Sequence, residues 1–273
     1  MIQWHCMIYA KVIADSITGS GDRLTTMEVQ MHRFVLSEFN THRVFSRNSS
    51  SSRAIPIQKQ IGRVQKDPAF PVAWGINQVG MQAERNLGIS PSRKARWIWK
   101  RASKKAIKSA KLLDDLGVHK QITNRILEPF MWHTVIVSST NWKAFFDQRC
   151  SRLAQPEIRE VALAMQHAYN KSVPDFITTG EYHLPYLQPE EYRLDDNLKI
   201  KACIARCARV SYLTHNNEKS LIKDIQLFEK LASADPPHWS PMEHVATPSA
   251  PDLDGSGNFS GFAQIRHNLH LVF

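Results

Sequence analysis

Apolar and polar residues alternate along residues 24–31 (Leu-Thr-Thr-Met-Glu-Val-Gln-Met), the period-two pattern of a strand. The rhythm then changes. Phe34, Val35, Leu36 and Phe39 fall at near-helical spacing, so a short helix is expected over 32–40, delivering residues 41–53 as a loop. Residues 14–23 read as a loop ahead of the strand, and residues 60–92, rich in Gly, Pro and Asn, read as irregular. A basic amphipathic helix follows over 85–111, ending near Gly117, with Trp97, Ile98, Ala102, Ile107 and Ala110 on its apolar side. Residues 122–138 are apolar around Glu128-Pro129 and read as helix then strand. Residues 155–170 form a helix whose first turn suits Pro156 and Glu157 and whose inner face is Ile158, Val161, Ala162, Met165 and Ala168. Two more helices are expected at 198–210 and 218–232, and a loop at 248–261. Helices and strands without a regular βαβ rhythm or an internal repeat predict an α+β fold.

Length permits one large domain or two small ones. No apolar run approaches the roughly 18–20 residues of a membrane span. The first residues, Met-Ile-Gln-Trp-His-Cys, lack a basic leader and a long apolar core, so a cytoplasmic protein is expected. Cys6, Cys150, Cys203 and Cys207 are scattered and read as reduced thiols. Net charge is +10, much of it at 85–111, where ten Lys and Arg residues meet no acid. That run suits nucleic acid, a polyanionic small molecule, or simply a solvated face.

The most chemical segment is 41–56. His42, Arg43, Arg47, Asn48, Ser49 to Ser52 and Arg53 stand together without a carboxylate, and Ile55-Pro56-Ile57 ends the run. Arginine forks and serine hydroxyls suit a phosphate or another anion, although a solvated basic loop has the same composition. Arg125 and Arg149 each sit in an apolar setting and need an anionic partner, either a ligand or an internal carboxylate such as Glu128, Asp147 or Glu157. His238-Trp239-Ser240-Pro241-Met242-Glu243-His244 gathers imidazoles, an aromatic and a carboxylate at a proline turn. Phosphate-binding glycine loops, H-E-x-x-H and G-x-S-x-G are absent, and no metal site is indicated.

Together these segments resemble the flavin-dependent thymidylate synthases. The family signature R-H-R-x-x-S-x-N-x-x-S-x-R is matched at His42, Arg43, Ser46, Asn48, Ser51 and Arg53. A second pattern, A-R-V-S-[FY] followed by a helix and H-x-[ST]-P-x-E-H, appears at Ala208 to Tyr212 and at 238–244. A third appears as Arg125 with Pro129, then Phe145, Arg149, Ala154, Gln155, Glu157 and Ile158. The A-R-V-S block usually comes first and here comes last, so the chain looks circularly permuted, which close-lying termini would permit.

The resemblance implies a single domain over 1–273 with a mixed or antiparallel sheet packed by helices. It would contain the signature loop at 41–56, a basic helical insertion at about 85–117 and a permuted block at about 198–247. His42, Arg43, Ser211, His238, Ser240 and Glu243 would hold FAD. Glu38, Ser51, Ser52, Arg53, Arg125 and Arg149 would bind the nucleotide, with Arg149, Ser51 and His238 at the chemistry. Arg152 is a near neighbour that could exchange with Arg149. The implied reaction converts dUMP to dTMP, with methylenetetrahydrofolate as carbon donor and NADPH as reductant, in a homotetramer with shared active sites. Thr41 replaces the first signature Arg; Ser49, Ala54 and Leu153 also depart from the pattern. These departures keep two alternatives open: a sibling enzyme that methylates or hydroxymethylates dUMP or dCMP, and a basic nucleic-acid-binding protein with a degenerate flavin site.

Overall fold

The computed structural model describes residues 8–215, 220–253 and 257–272. Cys6 and the rest of the first seven residues, Glu218 and Lys219 of the expected helix, and 254–256 of the expected loop lie outside the described residues.

A five-stranded sheet organises the fold, in the order β3-β4-β2-β1-β5. Its strands are β1 (Tyr9–Ile17), β2 (Arg23–His32), β3 (Ser46–Ser49), β4 (Trp132–Ser139) and β5 (Asp175–Phe176). The β1–β2, β2–β4 and β3–β4 pairs are antiparallel, and β5 joins β1 in parallel, so the sheet is mixed. Short α1 (Leu36–Asn40) follows a 3-10 turn at Arg33–Val35. Then come α2 (Ile57–Lys66), α3 (Ile89–Asp115), α4 (Lys120–Thr123), α5 (Lys143–Arg149) and α6 (Pro156–Lys171). The chain closes with α7 (Asp196–Arg209), α8 (Leu221–Ala232) and a small hairpin of β6 (Ala246–Pro248) and β7 (Phe262–Gln264).

The alternation in β2 sorts its side chains as expected. Met27, Val29 and Met31 join Val135 and Val137 of β4 on one face, packed by Phe145 of α5 and by Ile158, Val161 and Met165 of α6. Alternation ordinarily leaves the polar face wet. Here the C-terminal block covers it: Ile136 meets Cys207, Val210 and Tyr186, while Thr26, Glu28 and Gln30 are buried. Buried polar groups need partners. A hydrogen-bonded chain supplies them, from Ser16 Oγ to His183 Nδ1 (2.8 Å), His183 Nε2 to Thr26 (2.7 Å), Thr26 to Ser138 (2.6 Å) and Ser138 to His244 Nδ1 (2.8 Å). Glu28 accepts from Tyr9 and Tyr186, both at 2.5 Å, and pairs with His215 at 3.0 Å. Burial pushes this carboxyl up, but the three partners outweigh burial and hold it at about 2.

Several expectations need correction. Residues 14–17 belong to β1, and only 18–22 form a turn. Within 60–92 lies most of α2, whose buried Ile57, Gln60, Ile61 and Val64 repeat at helical spacing. The expected 41–53 loop contains β3. The basic helix begins at Ile89 rather than 85; it ends as expected, with Gly117 at φ +77, a left-handed position that suits glycine.

A buried ion cluster ties α7 to its surroundings. Arg206 bonds Glu191 at 2.6 and 2.5 Å and Asp224 of α8 at 2.8 Å, and Arg209 takes the other Asp224 oxygen at 2.8 Å. Arg206→Ala would leave Glu191 without its cation. The expected loss is about 3 kcal/mol, at the low end for a broken buried pair, because Arg209 still neutralises Asp224. Urea unfolding checks this; a loss below about 1 kcal/mol would show the cluster to be hydrated.

Candidate active site

Residues 41–53 are the meeting point of segments far apart in the chain. α1 stops at Asn40, and Thr41 closes it by donating its hydroxyl to the Glu38 carbonyl at 2.7 Å. The chain then turns at His42 and enters edge strand β3. A strand reading Ser-Arg-Asn-Ser has no apolar pattern; its partners hold it instead. Asn48 donates to the Cys207 carbonyl at 2.6 Å, and Ser50 meets His133 Nδ1 at 2.9 Å.

The first partner is the end of α5. Arg149 donates from Nε to His42 Nε2 at 2.9 Å, and from Nη2 to Thr41 Oγ1 at 3.0 Å and the Glu38 carbonyl at 3.3 Å. All three acceptors are neutral groups, two in the signature segment and one at the end of α1. Among the described residues no carboxylate pairs with Arg149, so the internal salt bridge expected as its alternative is not formed. A histidine accepting at Nε2 must be unprotonated there. Burial, then the charges of Arg149 and Arg47, lower His42 to about 4, which keeps it neutral at physiological pH. Its ring stacks on Phe45, 5.8 Å between centroids, and meets Phe145 edge-on.

The second partner is the 3-10 segment at Asn124–Phe130. Asn124 donates to the carbonyls of Ser52 and Ile55, at 2.8 and 2.9 Å, and fixes the turn after β3. Glu128 Oε1 is a hub for Ser52 Oγ (2.7 Å), Arg125 (2.8 Å) and Arg33 (3.1 Å). For Arg125 the internal ion pair is therefore what forms. The guanidinium is half exposed and keeps further donors for an incoming anion. Ser51 Oγ accepts from the Arg53 N–H at 3.2 Å, and the Arg53 side chain is exposed.

The third partner is the C-terminal block. The Ser51 N–H donates to the Ser211 carbonyl at 3.0 Å, and Ser211 Oγ donates to Asn48 Oδ1 at 3.4 Å. The turn at Ser240–His244 packs on β3, anchored below by His244 on Ser138. Gln264 stitches the two together, donating to Ser46 Oγ and the Glu243 carbonyl, both at 3.0 Å. Glu243 is paired with Arg266, while His238 and Ser240 are exposed at the start of the turn.

Hydrogen bonds thus join His42 to Arg149, Ser51 to Ser211, and Ser52 to Arg125 through Glu128, as three groups along one segment, and the Glu243 turn packs on β3. Arg43 and Arg53 are exposed on the same segment, and neither forms an ion pair among the described residues. His238 and Ser240 make no described side-chain bond to the segment. Glu38 contributes its carbonyl to Arg149, while its carboxylate accepts from Ser37 at 2.8 Å. Asn124 and Gln264 organise the site but were not singled out from the sequence. Asn124 stood beside Arg125 in its motif, whereas nothing marked Gln264. Arg152 is exposed.

Comparison with known proteins adds the family. No curated protein sequence matched the chain. Among solved structures, the chain is similar to a UMP/dUMP methylase, PolB from Streptomyces cacaoi, crystallised with 5-Br dUMP. Identity is 16%, TM-score 0.48, and the likeness covers 60% of this chain and 90% of that one. The sequence profile described as thymidylate synthase complementing protein matches residues 24–175. That span holds the signature segment, the basic helix and Arg149, and stops short of the 208–244 block. Matched over more than half its length, the chain belongs to the thymidylate synthase complementing protein (Thy1) family.

Proposed function

We propose that the protein is a flavin-dependent thymidylate synthase, which moves a one-carbon unit from methylenetetrahydrofolate to C5 of dUMP, with NADPH as reductant. Arg149 carries the reading. Among the described residues it is a cation held only by neutral groups of α1 and the signature segment, so its charge is available to a ligand. Activating C5 of a pyrimidine as a nucleophile builds negative charge on the ring and its carbonyl oxygens. A fixed guanidinium stabilises that charge without reorganising. Neutral His42 keeps the fork aimed. Ser51, Ser52 and Arg53, with the spare donors of Arg125, would hold the phosphate.

The donor set also fits FAD. The neutral His42 ring beside exposed Arg43 offers a flat edge and a cation, and the nearby carboxylate, Glu243, is already neutralised by Arg266. Ser211, His238 and Ser240 would complete that side. Bound flavin would supply the reducing equivalents the transfer needs. The order of blocks in the chain supports a circularly permuted domain, because the 208–244 block lies against β3 despite following it. The exposed face of the segment is where further copies in a homotetramer would complete the site.

Purified protein is expected to be yellow and to form dTMP from dUMP in the presence of both co-substrates. Protein that cannot be loaded with FAD would overturn the assignment. The mass of the product separates methyl from hydroxymethyl transfer, and dCMP in place of dUMP tests the base. Arg53→Ala is expected to raise KM for dUMP about 10-fold or more with a smaller change in kcat, as loss of a charged phosphate contact does. An unchanged KM removes Arg53 from the phosphate site.

A further inference from the structure

The Arg149 guanidinium carries five N–H donors in one rigid plane. Nε donates to His42 Nε2, and Nη2 divides between Thr41 Oγ1 at 3.0 Å and the Glu38 carbonyl at 3.3 Å. The edge made by Nε and Nη2 is therefore spent on the protein. Nη1 makes no hydrogen bond among the described residues, so its two N–H groups are what the arginine offers a ligand. A fork on a flexible stem keeps one face toward a ligand only while its acceptors stay in place. The three acceptors differ in how firmly they are fixed.

Thr41 is held at both ends. A hydroxyl has one proton and two lone pairs. The Thr41 proton goes to the Glu38 carbonyl at 2.7 Å, so toward Arg149 the oxygen can only accept. The Thr41 backbone N–H donates to the same carbonyl at 3.3 Å, and the branched Cβ leaves few rotamers open. The Glu38 carbonyl, by contrast, is shared among these two donors and Arg149, and is the longer contact to the arginine. Thr41 thus joins the end of α1 to the end of α5 through one oxygen. The family signature has arginine at this position. An arginine has donors only, so it could not accept from Arg149 and would set two cations against each other.

We propose that Thr41 is a positioning residue, an acceptor in place of the signature arginine, which aims Nη1 of Arg149 at the pyrimidine ring. The inference rests on the reading of Arg149 given above. Thr41 acts through Arg149, so its effect falls on the transition state, where the charge to be met is largest, more than on nucleotide binding. Restoring the signature arginine at 41 should therefore harm the enzyme rather than repair it.

Steady-state kinetics of dTMP formation by the FAD-loaded full chain test this. Thr41→Val keeps the shape and removes the acceptor; kcat is expected to fall about 10-fold, with KM for dUMP changed less than about 3-fold. Thr41→Ser keeps the hydroxyl and should stay within about 2-fold of wild type. Thr41→Arg should fall at least as far as Thr41→Val. Added to Arg149→Ala, Thr41→Val should cost nothing further, because the two residues act as a unit. Thr41 is exposed, so its variants should fold. A second measurement needs no turnover. Arginine side-chain NMR near neutral pH follows the Arg149 Nε–H, identified by its loss in Arg149→Ala. In Thr41→Val it should exchange with water at least about 5-fold faster than in wild type. If the wild type makes no dTMP, the functional reading fails, and the exchange rate still decides whether Thr41 holds Arg149. Four results overturn the proposal: an unchanged kcat in Thr41→Val, a loss confined to KM, a Thr41→Arg variant as active as wild type, or an unchanged Nε–H exchange rate.

Discussion

Arg149→Ala is expected to lower kcat/KM for dUMP by about 10³-fold, the loss seen when a fixed donor to a developing oxyanion is removed. The Ala variant should fold, because Arg149 makes no ion pair whose rupture would strand a buried carboxylate. Its partners, His42 Nε2 and Thr41 Oγ1, are neutral and lie on a half-exposed surface. Arg149→Lys keeps a charge but loses the planar fork that meets two groups at once, and should recover only a small part of the activity. Arg152→Ala is the companion measurement: it follows on the same turn but is exposed, and a loss there matching Arg149→Ala would exchange their roles. Circular dichroism checks the fold of each variant. Full activity in Arg149→Ala would remove the guanidinium from the reaction.

Acid should unfold the protein well above the carboxylate range. His133, His183 and His244 are all buried, 1%, 1% and 0% exposed. Burial holds His183 and His244 down to about 3, and His133 is pushed well below its ordinary value by burial and by Arg33. In the unfolded chain each would protonate near 6.5. The native state thus binds fewer protons, and stability falls as pH drops through 6.5 and keeps falling until the native pKa values are reached. At pH 5 each histidine costs about 2 kcal/mol, so the three together remove about 6 kcal/mol relative to pH 8. That is a large part of the roughly 5–15 kcal/mol typical of a folded domain. Glu28 does not oppose this, because its stabilising contribution is lost only as pH falls from its ordinary value toward about 2. Urea unfolding at pH 8, 7, 6 and 5 measures the slope. A stability constant to within about 1 kcal/mol across that range would mean that water reaches these rings. His183→Gln, if folded at pH 8, should show a shallower slope than the wild type, because one histidine that must be neutral when folded is gone.

The same histidines show where sequence reading stops. β2, α6 and α7 were legible because one face of each is apolar at the period of its own element. α2 carried such a pattern at Ile57, Ile61 and Val64, but Gly62 and the Gly, Pro and Asn residues downstream masked it. β3 was not legible at all: Ser46, Arg47, Asn48 and Ser49 pair with β4, and what stabilises them arrives from Cys207, Ser211 and Gln264. Residues 14–17 were read as a loop for a related reason. Asp15 and Ser16 look like turn residues until Arg23, Thr25 and His183 satisfy them.

Sequence alone determined which residue types act together. The signature segment, the two arginine motifs and the histidine-proline turn are chemical patterns that survive a change in block order, because a motif is local. Tertiary structure decided which charges remain available. Arg125 and Arg149 look alike in the sequence, each a cation among apolar residues. Glu128 lies within reach of the first and takes it, while α5 carries the second to neutral acceptors on His42, Thr41 and Glu38. Pairing depends on distances of a few ångströms between residues up to about a hundred positions apart, and only the folded chain sets those distances.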